Sequence, residues 1–312
     1  MQISSFQKDI VNGLSAEKKF LSSKYFYDER GSRIFQEIMK MDSYYLPACE
    51  TEILSQQSAQ IVREIGLDEL EVVELGAGDG SKSVLLLEAF VNAGIQIKYM
   101  PFDISAEILE DNRFIVQEKL PQISIETVAG DYFETIKRLK DGKVPRLVMF
   151  MGSNIGNFRG DRGVEFIRFV NGFLQEGDFL LLGADLKKHP SAILAAYADQ
   201  EGITARFNLN LLRRINHELD ADFDLNGFEH YATYDPVSGA ALSFLISLKK
   251  QQVNIRKADL LVEFELHEAI HMEVSQKYNL QDLKELGKKT GFSTAKHFLD
   301  SANYFSLSLF RK

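Results

Sequence analysis

From about residue 70 to residue 185 the chain alternates short apolar runs with stretches of helical period. The runs fall near 70–75, 97–102, 123–128, 145–151 and 178–184, and Leu147-Val148-Met149-Phe150-Met151 and Phe179-Leu180-Leu181-Leu182 are continuous rather than alternating. Continuous runs suit strands covered on both faces, since neither face meets water. Strands at this spacing with helices between them predict an α/β fold built on a doubly wound, mostly parallel sheet, with ligands outside the carboxyl ends of its strands. Residues 1–22 read as a polar helix and residues 48–64 as another. After Asp185 a long helical stretch, Ser191 to Leu219, leads into alternating segments at Gly227–Tyr234, Ala241–Leu248, Gln252–Arg256 and Asp259–Leu266, separated by turn formers such as Asp235-Pro236 and Ser238-Gly239. That texture predicts a smaller α+β insert with an antiparallel sheet. A helix near 280–290 and strands at Thr294–Phe298 and Tyr304–Phe310 close the chain. The expected division is 1–187 for the sheet domain with an N-terminal helical and aromatic lid, 188–277 for a substrate-binding insert, and 278–312 for completion of the sheet.

The first strand, Glu71-Val72-Val73-Glu74-Leu75, breaks into Gly76-Ala77-Gly78-Asp79-Gly80-Ser81-Lys82-Ser83, and Val84 to Phe90 then favours helix. Glycine permits φ > 0 and close approach of a ligand, while free N–H groups at the helix start point toward the site. Several cofactor families share this layout, and structural turns use the same residues. The G-x-G-x-G spacing differs from the G-x-G-x-x-G that suits a pyrophosphate, and an acid, Glu74, stands two residues before the first glycine. One βα unit later Ile97-Lys98-Tyr99-Met100-Pro101-Phe102 ends in Asp103, whose carboxylate can accept both hydroxyls of a ribose. The next run ends in Gly130-Asp131-Tyr132-Phe133, an acid beside an aromatic that can face an adenine. Each acid alone could simply cap a strand or helix. Together they resemble the cofactor site of class I S-adenosylmethionine-dependent methyltransferases, which implies a Rossmann-like fold and S-adenosyl-L-methionine as cofactor.

Composition narrows the partners. With 312 residues, 45% hydrophobic and 26% charged, the chain can bury a large core. A formal charge of −9 argues against nucleic acid, whose phosphates require basic patches. Cys49 is the single cysteine, which excludes an intrachain disulfide and fits a reducing cytoplasm. No run of about 18 apolar residues occurs, and the first residues lack the basic and apolar blocks of a signal peptide, so a soluble, cytoplasmic, monomeric enzyme without a membrane partner is expected. His267-Glu268-Ala269-Ile270-His271 matches the zinc-protease pattern H-E-x-x-H, but that chemistry needs both histidines on one helical face, and the preceding Leu261 to Leu266 alternates like a strand. No metal site is expected.

The remaining motifs are more specific. An aromatic-rich segment, Lys24-Tyr25-Phe26-Tyr27-Asp28-Glu29-Arg30-Gly31-Ser32-Arg33-Ile34-Phe35, precedes Tyr44-Tyr45, and so many rings either fill a core seam or wall a pocket. The strand near 145–151 runs into Gly152-Ser153-Asn154-Ile155-Gly156-Asn157-Phe158, which reads either as a strand-to-helix loop with an Asn cap or as an acceptor-holding loop. These segments, with Tyr197, Phe207-Asn208-Leu209-Asn210, Glu218 to Phe223 and Met272-Glu273-Val274-Ser275-Gln276-Lys277-Tyr278, resemble the histidine-specific Nα-methyltransferases over nearly the whole chain. The resemblance implies trimethylation of L-histidine to hercynine in ergothioneine biosynthesis. It gives Asn157 and Tyr197 the histidine carboxylate, Glu273 and Ser275 the imidazole nitrogens, and Tyr27, Phe35 and Tyr44 an aromatic wall around the amine, with Gly152 in the acceptor loop. It gives Gly76, Gly78, Lys82, Asp103, Asp131 and Tyr132 the cofactor, Lys82 lying near the methionine carboxylate. Loss of the ammonium proton would be favoured by desolvation and by an oxygen of Tyr27 or Asn157. The turn Gly78-Asp79-Gly80-Ser81 and Asn154, where Thr is familiar, depart from the family's pattern without touching an imidazole contact. The alternatives are the same fold acting on another amino acid or amine, and a non-catalytic S-adenosylmethionine-binding protein.

Overall fold

The apolar runs between residues 70 and 185 form strands, as their continuity predicts. In the computed structural model, which describes residues 4–139, 142–158 and 160–312, Glu69–Leu75 lies parallel to Gln96–Asp103 on one side and to Arg146–Phe150 on the other. Phe179–Asp185 continues the parallel array, and every residue of it and of Arg146–Phe150 is buried. Across the sheet the order is Ser293–Leu299, Phe305–Arg311, Phe179–Asp185, Arg146–Phe150, Glu69–Leu75, Gln96–Asp103 and Ser124–Ile125, with Phe305–Arg311 antiparallel to both neighbours. The crossovers leave Glu69–Leu75 in opposite directions. The carboxyl end of that strand is therefore the switch point where doubly wound sheets bind ligands.

The chain divides into two compact units, Leu46–Lys187 with Gln276–Lys312 and Met1–Tyr45 with Lys188–Ser275. The first 45 residues thus group with the insert, where the sequence reading had joined them to the sheet domain. In the sheet unit the strand residues Val73, Phe102, Val148, Phe150 and Leu182 pack with Phe166, Ile167 and Val170 of the Arg162–Asn171 helix. In the other unit the Ile203–Leu219 helix buries Phe207, Leu211, Leu212 and Ile215 in one cluster with Ile34 and Ile38 of the Glu29–Ile38 helix. Phe228, Leu245, Ile270 and Met272, from the three-stranded sheet ordered Ala269–Gln276, Ala240–Ser247, Phe228–Asp235, belong to the same cluster. Each such aliphatic side chain contributes about 1.5–3 kcal/mol when withdrawn from water. Gln251–Ile255 and Leu260–Phe264 pair separately as an antiparallel ladder.

Four expected elements change. The N-terminal helix stops at Leu14, because the chain folds back over Gly13, where a Cβ would lie 2.0 Å from the Phe20 carbonyl oxygen. The aromatic segment holds the Glu29–Ile38 helix, capped by Asp28, whose carboxylate accepts from Gly31 N–H at 2.7 Å. The stretch from Ser191 to Leu219 is two helices, Pro190–Tyr197 and Ile203–Leu219. Gly202 supplies φ = 69° at the break, and the Asp199 carboxylate takes the Ile203 and Thr204 N–H groups at 2.7 and 2.8 Å. The strand expected at 123–128 is two short pieces, Ser124–Ile125 and Val128–Ala129, interrupted at Glu126, which pairs with Lys98 at 2.6 Å.

Within the sheet unit the strand Phe179–Asp185 ends in a buried ion pair. Asp185 Oδ2 and Lys277 Nζ stand 2.7 Å apart, both side chains fully enclosed. The adjoining backbone is tied as well, Tyr278 N–H donating to the Asp185 carbonyl at 3.0 Å and Lys187 N–H to the Tyr278 carbonyl at 2.8 Å. Removing one charge of a buried pair exposes the other to its full desolvation cost, whereas replacing both with apolar groups is often tolerated. Lys277→Met should lower stability by about 3–5 kcal/mol, and Asp185→Leu/Lys277→Met by clearly less, as measured by denaturant unfolding.

Candidate active site

The glycine turn at the switch point follows a backbone path that few other residues allow. Gly76, Gly78 and Gly80 take φ of 73°, 55° and 74°. The turn is held from beneath by Glu74, 2% exposed, whose carboxylate accepts from Ser83 Oγ at 2.7 Å and from the Tyr99 hydroxyl at 2.5 Å. Asn112, fully buried, donates to the Gly78 carbonyl at 3.0 Å and lies 2.8 Å from where a Cβ on Gly80 would be. Above the turn the space is open: a Cβ on Gly78 would meet nothing within 4 Å. Asp103, at the end of the neighbouring strand, accepts Gly78 N–H on Oδ2 and Ser105 N–H on Oδ1, each at 3.1 Å. Asp131 caps the short Tyr132–Thr135 helix through Phe133 N–H at 2.8 Å. The Tyr132 ring packs edge-on against Phe150 and Phe166, and its burial together with the nearby Asp131 pushes its phenol up to about 12.

Lys82 does not stand alone beside the turn. Its ammonium pairs with Glu50 of the Leu46–Ile65 helix, and the other oxygen of Glu50 accepts Gly152 N–H at 2.7 Å. Glu50 is 1% exposed. The loop beyond Gly152, φ = 68°, carries a second left-handed residue, Ser153 at φ = 58°, whose Oγ accepts Asp185 N–H at 2.9 Å. The loop then forms the short Asn154–Asn157 helix, with Asn157 exposed.

The predicted substrate residues of the other unit assemble around hydroxyls and rings. The Tyr197 hydroxyl and Ser275 Oγ share a hydrogen bond of 2.9 Å, and both residues are buried. Glu273 lies two residues before Ser275 in the same strand. Tyr27 has half its surface open, yet its hydroxyl is shielded from bulk water, and this desolvation, with the Glu273 carboxylate and Tyr197 nearby, holds it well above the ordinary phenol range. The Tyr27 ring meets Phe35 at 5.3 Å and Phe207 at 5.5 Å, both edge-on, and Tyr44 meets Tyr197 edge-on at 6.3 Å. His267 sits in a turn at φ = 66° and His271 in the Ala269–Gln276 strand, so the H-E-x-x-H match lacks the shared helical face that zinc ligation of that kind requires. Among the described residues no cluster of metal-ligating side chains occurs.

The model of the family described as histidine-specific methyltransferase, SAM-dependent, matches residues 6–312. The histidine N-alpha-methyltransferase of Mycolicibacterium smegmatis is 37% identical over 309 residues, 98% of this chain and 94% of that protein. The Mycobacterium tuberculosis protein of the same name is 34% identical over 308 residues, covering 99% and 95%. A more distant relative, the 4-dimethylallyltryptophan N-methyltransferase easF of Trichophyton verrucosum, is 25% identical over 306 residues, covering 94% and 89%. The chain belongs to the SAM-dependent histidine-specific methyltransferase family.

The fold of this methyltransferase is Rossmann-like, class I, and S-adenosylmethionine is its cofactor. The residues at the switch point fit that group. The turn is backed on one side and open on the other, and Asp103 accepts one N–H on each oxygen, where a carboxylate has about four acceptor sites. Three contributors escaped the sequence reading. Glu50 and Asn112 sit inside ordinary helical patterns with no local signal. Phe207, quoted only as part of a motif, is the ring that Phe26, Tyr27 and Phe35 all touch. Glu74, noted as an acid before the turn, points inward as a support.

Burial raises the Glu74 carboxyl to about 7, although Tyr99, Ser83 and Lys82 pull it down. Its folded value exceeds the unfolded one of 4.5, so between these values the native state retains a proton that the unfolded state has lost. This group's contribution therefore falls as pH rises from about 4.5 to about 7 and stays flat above that window. Glu74→Gln should remove that slope, on the order of 3 kcal/mol across the window, when unfolding free energies of the two proteins are compared against pH.

Proposed function

We propose that this enzyme transfers methyl groups from S-adenosylmethionine to the α-amino group of L-histidine, successively, to give Nα,Nα,Nα-trimethylhistidine. The observation that carries the reading is the grouping of Glu273, Ser275, Tyr197 and Tyr27 within one unit, a carboxylate and hydroxyls placed among aromatic rings. An imidazole has two nitrogens, one a donor and one an acceptor when neutral. Glu273 accepts from the donor, and the Ser275 hydroxyl, already linked to Tyr197, serves the other. Tyr197 is the proposed donor to the substrate carboxylate within this unit.

The cofactor supplies a methyl group already activated on a sulfonium. The protein's work is to hold a neutral amine in line with it, and such positioning can provide about 7–11 kcal/mol of a bimolecular barrier. Tyr27 stays protonated across the physiological range, because its hydroxyl is held above the ordinary phenol value. It therefore orients the nitrogen through an oxygen lone pair and is no phenolate base. Desolvation among Tyr27, Phe35 and Phe207 disfavours the ammonium form, so the nitrogen gives a proton to solvent before each N–C bond forms and the S–C bond breaks to leave S-adenosylhomocysteine. The same rings favour the quaternary product through their π faces, by roughly 0.5–2 kcal/mol. The proposal further has the enzyme act as a cytoplasmic monomer on a small molecule. The lone Cys49 fits a reducing compartment, and the excess of acidic residues fits a small-molecule substrate rather than nucleic acid.

Two measurements test the reading. Incubation with S-adenosylmethionine and each of the twenty amino acids should yield a trimethylated product by mass spectrometry with histidine alone, and preference for another amine refutes the assignment. Glu273→Ala should weaken histidine binding about 10- to 100-fold in calorimetry while leaving S-adenosylhomocysteine affinity unchanged; equal loss of both would refute Glu273 as an imidazole contact.

A further inference from the structure

The buried node around Glu50 is not accounted for by any role so far described. A carboxylate that is 1% exposed must be compensated, and Glu50 is compensated twice, by the Lys82 ammonium on one oxygen and by Gly152 N–H at 2.7 Å on the other. These partners belong to the two loops that follow the carboxyl ends of adjacent parallel strands, Glu69–Leu75 and Arg146–Phe150. The fold also makes room for this carboxylate. Gly183 lies in the middle of the fully buried strand Phe179–Asp185, where glycine weakens a strand. A Cβ there would come 2.9 Å from Glu50 Oε1, 3.0 Å from Met151 Cα and 3.3 Å from Gly152 N. Gly183 thus leaves the slot in which the carboxylate sits.

We propose that Glu50 is a positioning residue of the methyltransferase, which fixes Lys82 for the carboxylate of the cofactor and, with its other oxygen, holds Gly152 at the start of the acceptor loop. The proposal rests on the reading of Lys82 as a cofactor contact. A carboxylate in this place restrains the long lysine side chain in one geometry before the cofactor arrives, so the ordering cost is met during folding and not during binding. Loss of its charge frees Lys82 without removing it. A merely structural Glu50 would change stability and leave the coupling to Lys82 untouched.

The test is a double-mutant cycle read by calorimetric binding of S-adenosylhomocysteine to the full-length protein, with thermal melting as the control for folding. Glu50→Gln keeps an acceptor for Gly152 but loses the charge, and Lys82→Met removes the ammonium. Each should weaken binding about tenfold, and the double variant should be no weaker than the worse single one. If Lys82→Met weakens binding and Glu50→Gln does not, or if the two losses multiply, the positioning role is wrong while Lys82 keeps its own. If Lys82→Met binds like the parent, the reading of Lys82 fails and the proposal with it. Should Glu50→Gln not fold, Glu50→Asp carries the test, since it keeps the charge but draws the carboxylate back by one methylene and leaves Lys82 and Gly152 unsubstituted. It should weaken S-adenosylhomocysteine binding when made alone and not when combined with Lys82→Met, and equal loss in both settings overturns the proposal.

Discussion

Three left-handed residues within five positions make a chain path that will not hold its shape by itself, and the carboxylate of Glu74 beneath it is what the sheet unit depends on. Two hydroxyls reach that carboxylate from different elements, Ser83 from the start of the following helix and Tyr99 from the neighbouring strand. Asn112 extends the network to the Gly78 carbonyl and the Tyr99 hydroxyl. The upper side of the turn can remain open for a ligand because its lower side is hydrogen-bonded and packed. Hydrogen-bonded interior groups of this kind fix one another's geometry, and the one atom of this network left without a partner is Asn112 Oδ1.

The unit that includes the insert solves a different problem. A substrate that gains methyl groups becomes larger and acquires a permanent charge, so a site made of carboxylates near the nitrogen would bind the product too firmly. Rings avoid this, since they meet a quaternary ammonium with moderate attraction and no ion pair. Tyr27, Phe35 and Phe207, the rings proposed to line the amine, pack against one another within this unit. The proposed partner of the Glu273 carboxylate is the imidazole, not the nitrogen that gains methyl groups.

How much of this could be read from residues alone follows from how local each signal is. Parallel strands announce themselves because both faces are covered, and Leu147 to Met151 leaves no other interpretation. The glycine turn and the carboxylates at strand ends are equally legible, since their role is set within a few residues. The Glu29–Ile38 helix was hidden because its aromatic content reads as a pocket wall, while the Asp28 cap is a single residue's signal. Glu50 was invisible for another reason. It sits in a regular helical pattern, and its partners are 32 and 102 residues away. Lys82 and Asp103 stand out in the sequence as candidate site residues, but their bonds to Glu50 and to two backbone N–H groups are tertiary facts that no spacing encodes.

The order in which the chain crosses between its units has a consequence for its birth on the ribosome. Residues up to Tyr45 group with a segment that ends only at Ser275, and the strand Phe305–Arg311 is inserted between two strands of the sheet. Each unit is assembled from two segments that are far apart in the sequence. Domain-by-domain folding during translation, the usual safeguard of a chain this long, is denied to it. The early helices and the parallel strands wait with apolar surface uncovered. Loss of the strand Phe305–Arg311 would leave the Ser293–Leu299 strand without its partner and open the edge of Phe179–Asp185.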